Sequence, residues 1–192
     1  MIAVAKYNAG NIRSVQNALQ RLGYESVVTD DSELLKNAEK VIFPGVGEAS
    51  SAMKYLKDKS LDVVIKSLKQ PVLGICLGQQ LMCAFSEEGN VNCLGIFKTI
   101  VKKFPPRDIV PHMGWNNLTN LNGVLFDGVS ELDDFYFVHS YYAELCKDTT
   151  ASCNYIVPFS AALNVNNFYA TQFHPEKSGK IGETILQNFL TL

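Results

Sequence analysis

Gly74-Ile75-Cys76-Leu77-Gly78 sets one thiol between two glycines, each two positions away. The residues before it, 72–75, read as a short buried strand, and those after it, 78–85, as a helix. A nucleophile on a sharp strand-to-helix turn needs small neighbours on both sides, as this pentapeptide supplies. The turn also brings the thiol to a helix N-terminus, where partial positive charge favours the thiolate. The competing reading is a buried structural cysteine beside two incidental glycines.

A thiolate nucleophile works with a histidine base. The chain offers His112, His139 and His174. In His174-Pro175-Glu176 the outer residues are two apart, so in an extended segment they point to the same side. Pro175 biases His174 toward that extended conformation. Glu176 can then hold the imidazole's tautomer and orientation. Cys76, His174 and Glu176 are therefore the candidate catalytic triad for breaking an amide bond. Pro44-Gly45-Val46-Gly47 is a strand-end loop whose backbone N–H groups, with that of Leu77, can face a developing oxyanion. The freedom of Gly45 would let the Gly45-Val46 peptide change orientation. The alternative for this loop is an ordinary tight turn.

The elements that must position these groups alternate in the first half. Strands are expected over residues 2–6, 25–29, 41–43 and 72–75. Helices are expected from Asn11 as cap to Leu22, from Asp30 and Asp31 through Ala38, over 50–56 and 61–68, and over 78–85. This order implies a parallel sheet with helices on both faces, a flavodoxin-like three-layer α/β fold. Ligands in such sheets bind outside the carboxyl ends of the strands, which here carry the loops 7–11, 44–48 and 76–80. The second half reads as strands over 96–104, 134–142, 155–165 and 167–173, with Asn166-Asn167 as a hairpin turn. A closing helix covers 180–190. Antiparallel strands are thus expected to extend or flank the parallel sheet. Pro105-Pro106 marks a local break, and residues 1–192 are expected to form one domain.

Composition sets the outer limits. The formal net charge is −2, with Lys and Arg scattered, which argues against nucleic acid or an acidic membrane surface as the partner. No apolar run reaches the roughly 18 residues of a membrane span. The N-terminal residues carry no basic leader or cleavage site, so a cytoplasmic location is expected. Five cysteines, an odd number without a CxxC pair, argue against a disulfide framework and recommend no metal site. No cofactor is expected.

The elbow, the glycine loop and His-Pro-Glu, in this order, resemble the class I (triad) glutamine amidotransferases. Tyr7-Asn8-Ala9-Gly10-Asn11, Pro111-His112-Met113-Gly114-Trp115-Asn116, Tyr136-Phe137-Val138-His139-Ser140-Tyr141 and Gln172-Phe173-His174-Pro175-Glu176-Lys177 narrow the resemblance to the glutaminase subunits of imidazole glycerol phosphate synthase. The resemblance spans essentially the whole chain. It implies attack by Cys76 on the side-chain amide of L-glutamine, proton delivery by His174 and orientation by Glu176. It implies that Gln80, Glu88, Ser140 and Tyr141 hold glutamine. It also implies a (β/α)8-barrel cyclase partner that receives ammonia in histidine biosynthesis, with Asn11, His112, Trp115, Asn116 and Lys177 at the interface. For Gln80 and Glu88 the alternative is a solvated position; for Trp115, a core aromatic. For His112 it is a loop histidine bonded to backbone. Two positions depart from many relatives: Lys6 where they carry an acidic residue, and Asn8 where they carry glycine.

Overall fold

A computed structural model describes residues 1–7 and 10–192, so the reading of Asn8 as a turn residue lies outside the described residues. The first half runs β1 (Ile2–Ala5), α1 (Ile12–Arg21), β2 (Ser26–Thr29), α2 (Ser32–Asn37), β3 (Lys40–Gly45), α3 (Ala49–Asp58), α4 (Leu61–Ser67), β4 (Val72–Cys76) and α5 (Leu77–Met82). The second half adds β5 (Phe85–Ser86), β6 (Val91–Asn92), β7 (Ile100–Lys103), β8 (His112–Asn117), β9 (Asp134–His139), β10 (Tyr141–Ala143), β11 (Thr149–Asn154), β12 (Pro158–Val165), β13 (Phe168–Thr171) and α6 (Gly179–Leu190).

The central sheet has the order β11-β12-β13-β4-β3-β1-β2. Its five strands from β13 to β2 pair in parallel, while β11, β12 and β13 pair antiparallel. Side chains alternate across the sheet as a two-residue period requires. Ala3 and Ala5 pack with Leu35, Met53, Leu56 and Leu81 from α2, α3 and α5. Ile2 and Val4 face the other way, onto Val15 and Leu19 of α1 and Ile185 and Phe189 of α6. Helices therefore cover both faces, and the expected three-layer fold is the observed one. Asp31 caps α2 by accepting from the N–H groups of Glu33 and Leu34. No helix of the described residues is long and apolar enough to cross a membrane.

Several boundaries differ from the sequence reading. The segment expected as one strand over 134–142 breaks at Ser140. Its first part pairs with β8 in a two-stranded sheet, and its second with β7 in a four-stranded sheet. The strand expected from 96 starts at Ile100, and the helix expected to reach 85 ends at Met82. The strand β11, with the sequence TTASCN, was not expected. Asn11 does precede α1, but with φ 72° and no side-chain cap bond. An ordinary cap residue sits in extended conformation, with its side chain turned to the first helical N–H groups. The left-handed backbone turns the Asn11 amide elsewhere.

Candidate active site

Cys76 ends β4 with φ 53° and ψ −105°, a backbone conformation that few residues with a Cβ adopt. Such strain is held only by over-determined surroundings. The glycines supply part of that determination. A Cβ on Gly78 would overlap the Phe43 carbonyl oxygen, and one on Gly74 would crowd Met82 Sδ at 2.9 Å. The helix thus lies directly against β3, and the turn has no room to relax. Gly78→Ala should cost about 1–3 kcal/mol of stability through this overlap, read as a lower urea midpoint.

His174 and Glu176 come from the segment after β13, which pairs in parallel with β4. His174 Nδ1 lies 2.7 Å from Glu176 Oε1. Both side chains are fully buried. The turn is anchored to β9: the His174 N–H donates to the Tyr136 carbonyl at 2.9 Å, and the Ser178 hydroxyl donates to the His174 carbonyl at 2.7 Å. Since Nδ1 serves Glu176, Nε2 is the nitrogen available to the thiol, and it is buried without a hydrogen-bond partner among the described residues. Burial alone would lower the His174 pKa. The nearby Cys76 sulfur and then the Glu176 carboxylate overcome this and raise it to about 10. The imidazole is therefore held as its cation at neutral pH.

The β3–β4 register sets Gly45 beside Cys76. A Cβ on Gly45 would strike the Tyr7 hydroxyl, which is buried and has no hydrogen-bond partner among the described residues. Next to the thiol lies a 260 Å³ cavity, the natural size for one small ligand. Its lining includes Val46, Cys76, Leu77, Gln80, Glu88, Ser140 and Tyr141, so every expected oxyanion and substrate residue except Gly45 borders one space. Gly47 of the glycine loop and His139, one of the three candidate histidines, also line it, together with Pro111 and Val138, for which no individual role is expected from the sequence. Gln80 is not a solvated helix residue: its Nε2 donates to the Tyr141 carbonyl at 2.9 Å and to Gln172 Oε1 at 3.0 Å. Glu88 accepts from the Ala49 N–H at 2.9 Å, and burial raises its pKa.

The expected partner-contacting residues divide. Trp115 is 57% exposed and Met113 63%, side by side on the outer face of β8. Trp115 packs edge-on against Tyr136, and Lys177 Nζ stands 5.8 Å from the same ring. These form one exposed aromatic and cationic patch. His112 differs: it is 4% exposed, and it lies in strand β8 rather than in a loop. Its Nδ1 is 3.0 Å from His139 Nε2, and Asn116 Nδ2 is 3.3 Å from its Nε2. His139 Nδ1 lies 2.7 Å from the Tyr141 carbonyl, which only accepts, so His139 carries its proton on Nδ1. His112 must then donate to His139 and accept from Asn116. Burial lowers His112 to about 4 and His139 to about 3, keeping both neutral. Asn11 also points inward, with its amide donating to Glu176 Oε1.

The geometry supports acyl transfer: a thiol, an oriented imidazole and a pocket with one carboxylate and one fixed amide. The family model for class-I glutamine amidotransferases matches residues 4–192. The chain is 63% identical over 194 residues to imidazole glycerol phosphate synthase subunit HisH of Bacteroides fragilis, covering 100% of this chain and 99% of that one. It is 47% identical to the subunit of the same name from Colwellia psychrerythraea, over 95% of this chain and 88% of that one. Among solved structures, PurLQS from Thermotoga maritima aligns with TM-score 0.74 at 18% identity, over 99% of this chain and 97% of that one. A glutamine amidotransferase from Thermotoga maritima aligns with TM-score 0.67 at 16% identity, over 99% and 82% of the two chains. At these identities the structures speak for the fold.

Proposed function

The chain belongs to the glutamine amidotransferase class-I family, and from that premise we propose that it is the glutaminase subunit of an imidazole glycerol phosphate synthase. It hydrolyses L-glutamine to glutamate and ammonia and passes the ammonia to a (β/α)8-barrel cyclase in histidine biosynthesis. The observation that carries this reading is the strained Cys76 beside the buried His174–Glu176 pair, at the mouth of a cavity bordered by Gln80 and Glu88.

The steps follow from the arrangement. The Cys76 sulfur attacks the side-chain carbonyl carbon of glutamine, and negative charge moves to the carbonyl oxygen. The N–H groups of Val46 and Leu77 are placed to receive it once the Gly45-Val46 peptide is suitably turned. His174 Nε2–H then protonates the departing nitrogen, and ammonia leaves as the C–N bond breaks. The thioester remains. Water, giving a proton to the now neutral Nε2, attacks it and releases glutamate and the Cys76 sulfur. Glu88 fits the substrate's ammonium group, and the Gln80 carbonyl oxygen remains available for a substrate N–H. The five free cysteines suit a reducing cytoplasm.

Glutamine hydrolysis measured on the chain alone and with the cyclase plus its ribotide substrate tests the reading. Low activity alone and strong activation in the complex are expected; no hydrolysis in either state would refute it. The exposed patch of Trp115, Met113 and Lys177 is the docking surface under this reading. Trp115→Ala should weaken binding of the cyclase by about 30-fold or more, as for an aromatic interface anchor. A titration of the labelled variant with the cyclase checks this, and unchanged affinity would move the interface elsewhere.

A further inference from the structure

Gln172 is fully buried, and none of the steps proposed for glutamine hydrolysis uses it. It follows β13, whose last pair is Thr171 with Ile75, so parallel register carries Gln172 alongside Cys76. Its backbone N–H is fixed by the Ala161 carbonyl at 2.8 Å. Its side-chain Nε2 lies 3.6 Å from Cys76 Sγ, and its Oε1 lies 3.0 Å from Gln80 Nε2.

The orientation of this amide follows from one backbone carbonyl. Tyr141 O can only accept, so the Gln80 atom 2.9 Å from it must be the nitrogen. Gln80 nitrogen has two hydrogens, and the second faces Gln172. The Gln172 atom receiving it must be its oxygen. That leaves the Gln172 NH2 group aimed at the sulfur. Turning Gln172 over would set nitrogen against nitrogen at Gln80, and turning both would set oxygen against the Tyr141 carbonyl. The His139 ring, also bonded to that carbonyl, holds it in place at 2.7 Å.

We propose that Gln172 is a further catalytic residue, its amide N–H donating to the Cys76 sulfur whenever that sulfur carries charge. The inference rests on the glutaminase reading of this site. A hydrogen bond to an anion is stronger than one to a neutral acceptor. It therefore stabilises the thiolate that attacks glutamine and again the thiolate that leaves when the thioester is hydrolysed. The neutral thioester sulfur between those steps is a poor acceptor, so the bond favours release over storage of the acyl-enzyme. The same side chain fixes Gln80, tying the nucleophile to the glutamine pocket.

Two variants separate the two duties. Gln172→Met removes both the donor to the sulfur and the oxygen for Gln80; Gln172→Glu keeps an oxygen for Gln80 and, when its carboxyl is ionised, presents no donor to the sulfur. In the complex with the cyclase, Gln172→Glu should lower kcat by about 10- to 100-fold, the worth of a hydrogen bond to a charged group, with KM changed little. Gln172→Met should lower kcat similarly and also raise KM. In both, iodoacetamide should alkylate Cys76 at pH 7 by about tenfold or more slower than in the wild type, and mass spectrometry should find thioester accumulating on glutamine. Alkylation rate and kcat within twofold of wild type in folded Gln172→Met would overturn the proposal. Should neither variant fold, the wild type still decides. The Gln172 side-chain amide proton resonance should move on alkylation of Cys76, while that of Gln79, bonded to the Ser160 carbonyl, stays; no movement at Gln172 overturns the proposal. Absence of glutamine hydrolysis in the wild-type complex would instead remove the glutaminase reading, a result these variants cannot mimic.

Discussion

Cys76→Ala should abolish glutamine-dependent synthesis in the complex, lowering glutamine hydrolysis by about 10⁴-fold or more, while synthesis from added ammonium salts continues. The size follows from covalent catalysis: without the sulfur there is no thioester, and the remaining groups must act on water directly. Removing a single member of such a triad costs about as much as removing all of it. Alanine fits the site sterically, because the surrounding tightness comes from Gly74, Gly78 and Phe43 rather than from the thiol. It also gives up the strained conformation no more easily than cysteine, since its Cβ is the same. Docking of the cyclase should therefore survive, and the ammonium-dependent rate is the control for it. Retained glutamine hydrolysis in Cys76→Ala would remove the nucleophile assignment. Loss of the ammonium-dependent rate as well would mean that the variant disturbs the interface, not only the chemistry.

The parallel half of the fold was legible because each element announces itself locally. Short apolar strands, an aspartate cap before α2 and a glycine after α1 all act within a few residues. The triad was legible for a related reason. Steric demands of the elbow and the two-residue offset of His174 and Glu176 are local rules, and the fold only had to bring β13 next to β4. What stayed hidden depends on long-range partners. The run from Asp134 to Tyr142 is rich in aromatic residues on both sides of Ser140, so composition does not show that its pairing changes there from β8 to β7. In β11 only Thr149 and Thr150 favour a strand; Ala, Ser and Asn do not, and burial of Ala151 and Cys153 completes the explanation. Asn11 carried a cap signal, yet a buried carboxylate is a better acceptor target than a helix N–H is a donor, and Glu176 takes its amide. The family resemblance sets His112 at the interface, with a loop histidine bonded to backbone as the alternative. The alternation of β8 turns it inward, opposite the exposed Met113 and Trp115, where His139 receives its proton. Gln172 stands inside a segment that carries the family resemblance but gains no role of its own there, since a buried glutamine is recognised only by what it touches.

His174→Gln should lower kcat for glutamine hydrolysis by about 10⁴-fold or more in the complex, because losing the acid–base member of such a unit costs about as much as losing the nucleophile. The pH profile of the wild type tests the same residue without mutation. The folded imidazole is raised from 6.5 to about 10 by Cys76 and Glu176 against the opposing effect of burial. A raised value means the proton is bound at neutral pH and lost as pH rises through about 10. The departing nitrogen needs that proton, so kcat/KM should hold to high pH and fall only on the alkaline side, near 10. Glu176→Gln removes one of the two raising influences and leaves the other, so the alkaline limb should move to lower pH as kcat falls. A limb near 6.5 in the wild type, indifferent to Glu176→Gln, would mean that His174 rests neutral and that the carboxylate does not tune it. The distinction has a mechanistic consequence. An imidazolium already in place can protonate the leaving nitrogen at once, so departure draws on a proton that the buried site holds in position before glutamine arrives.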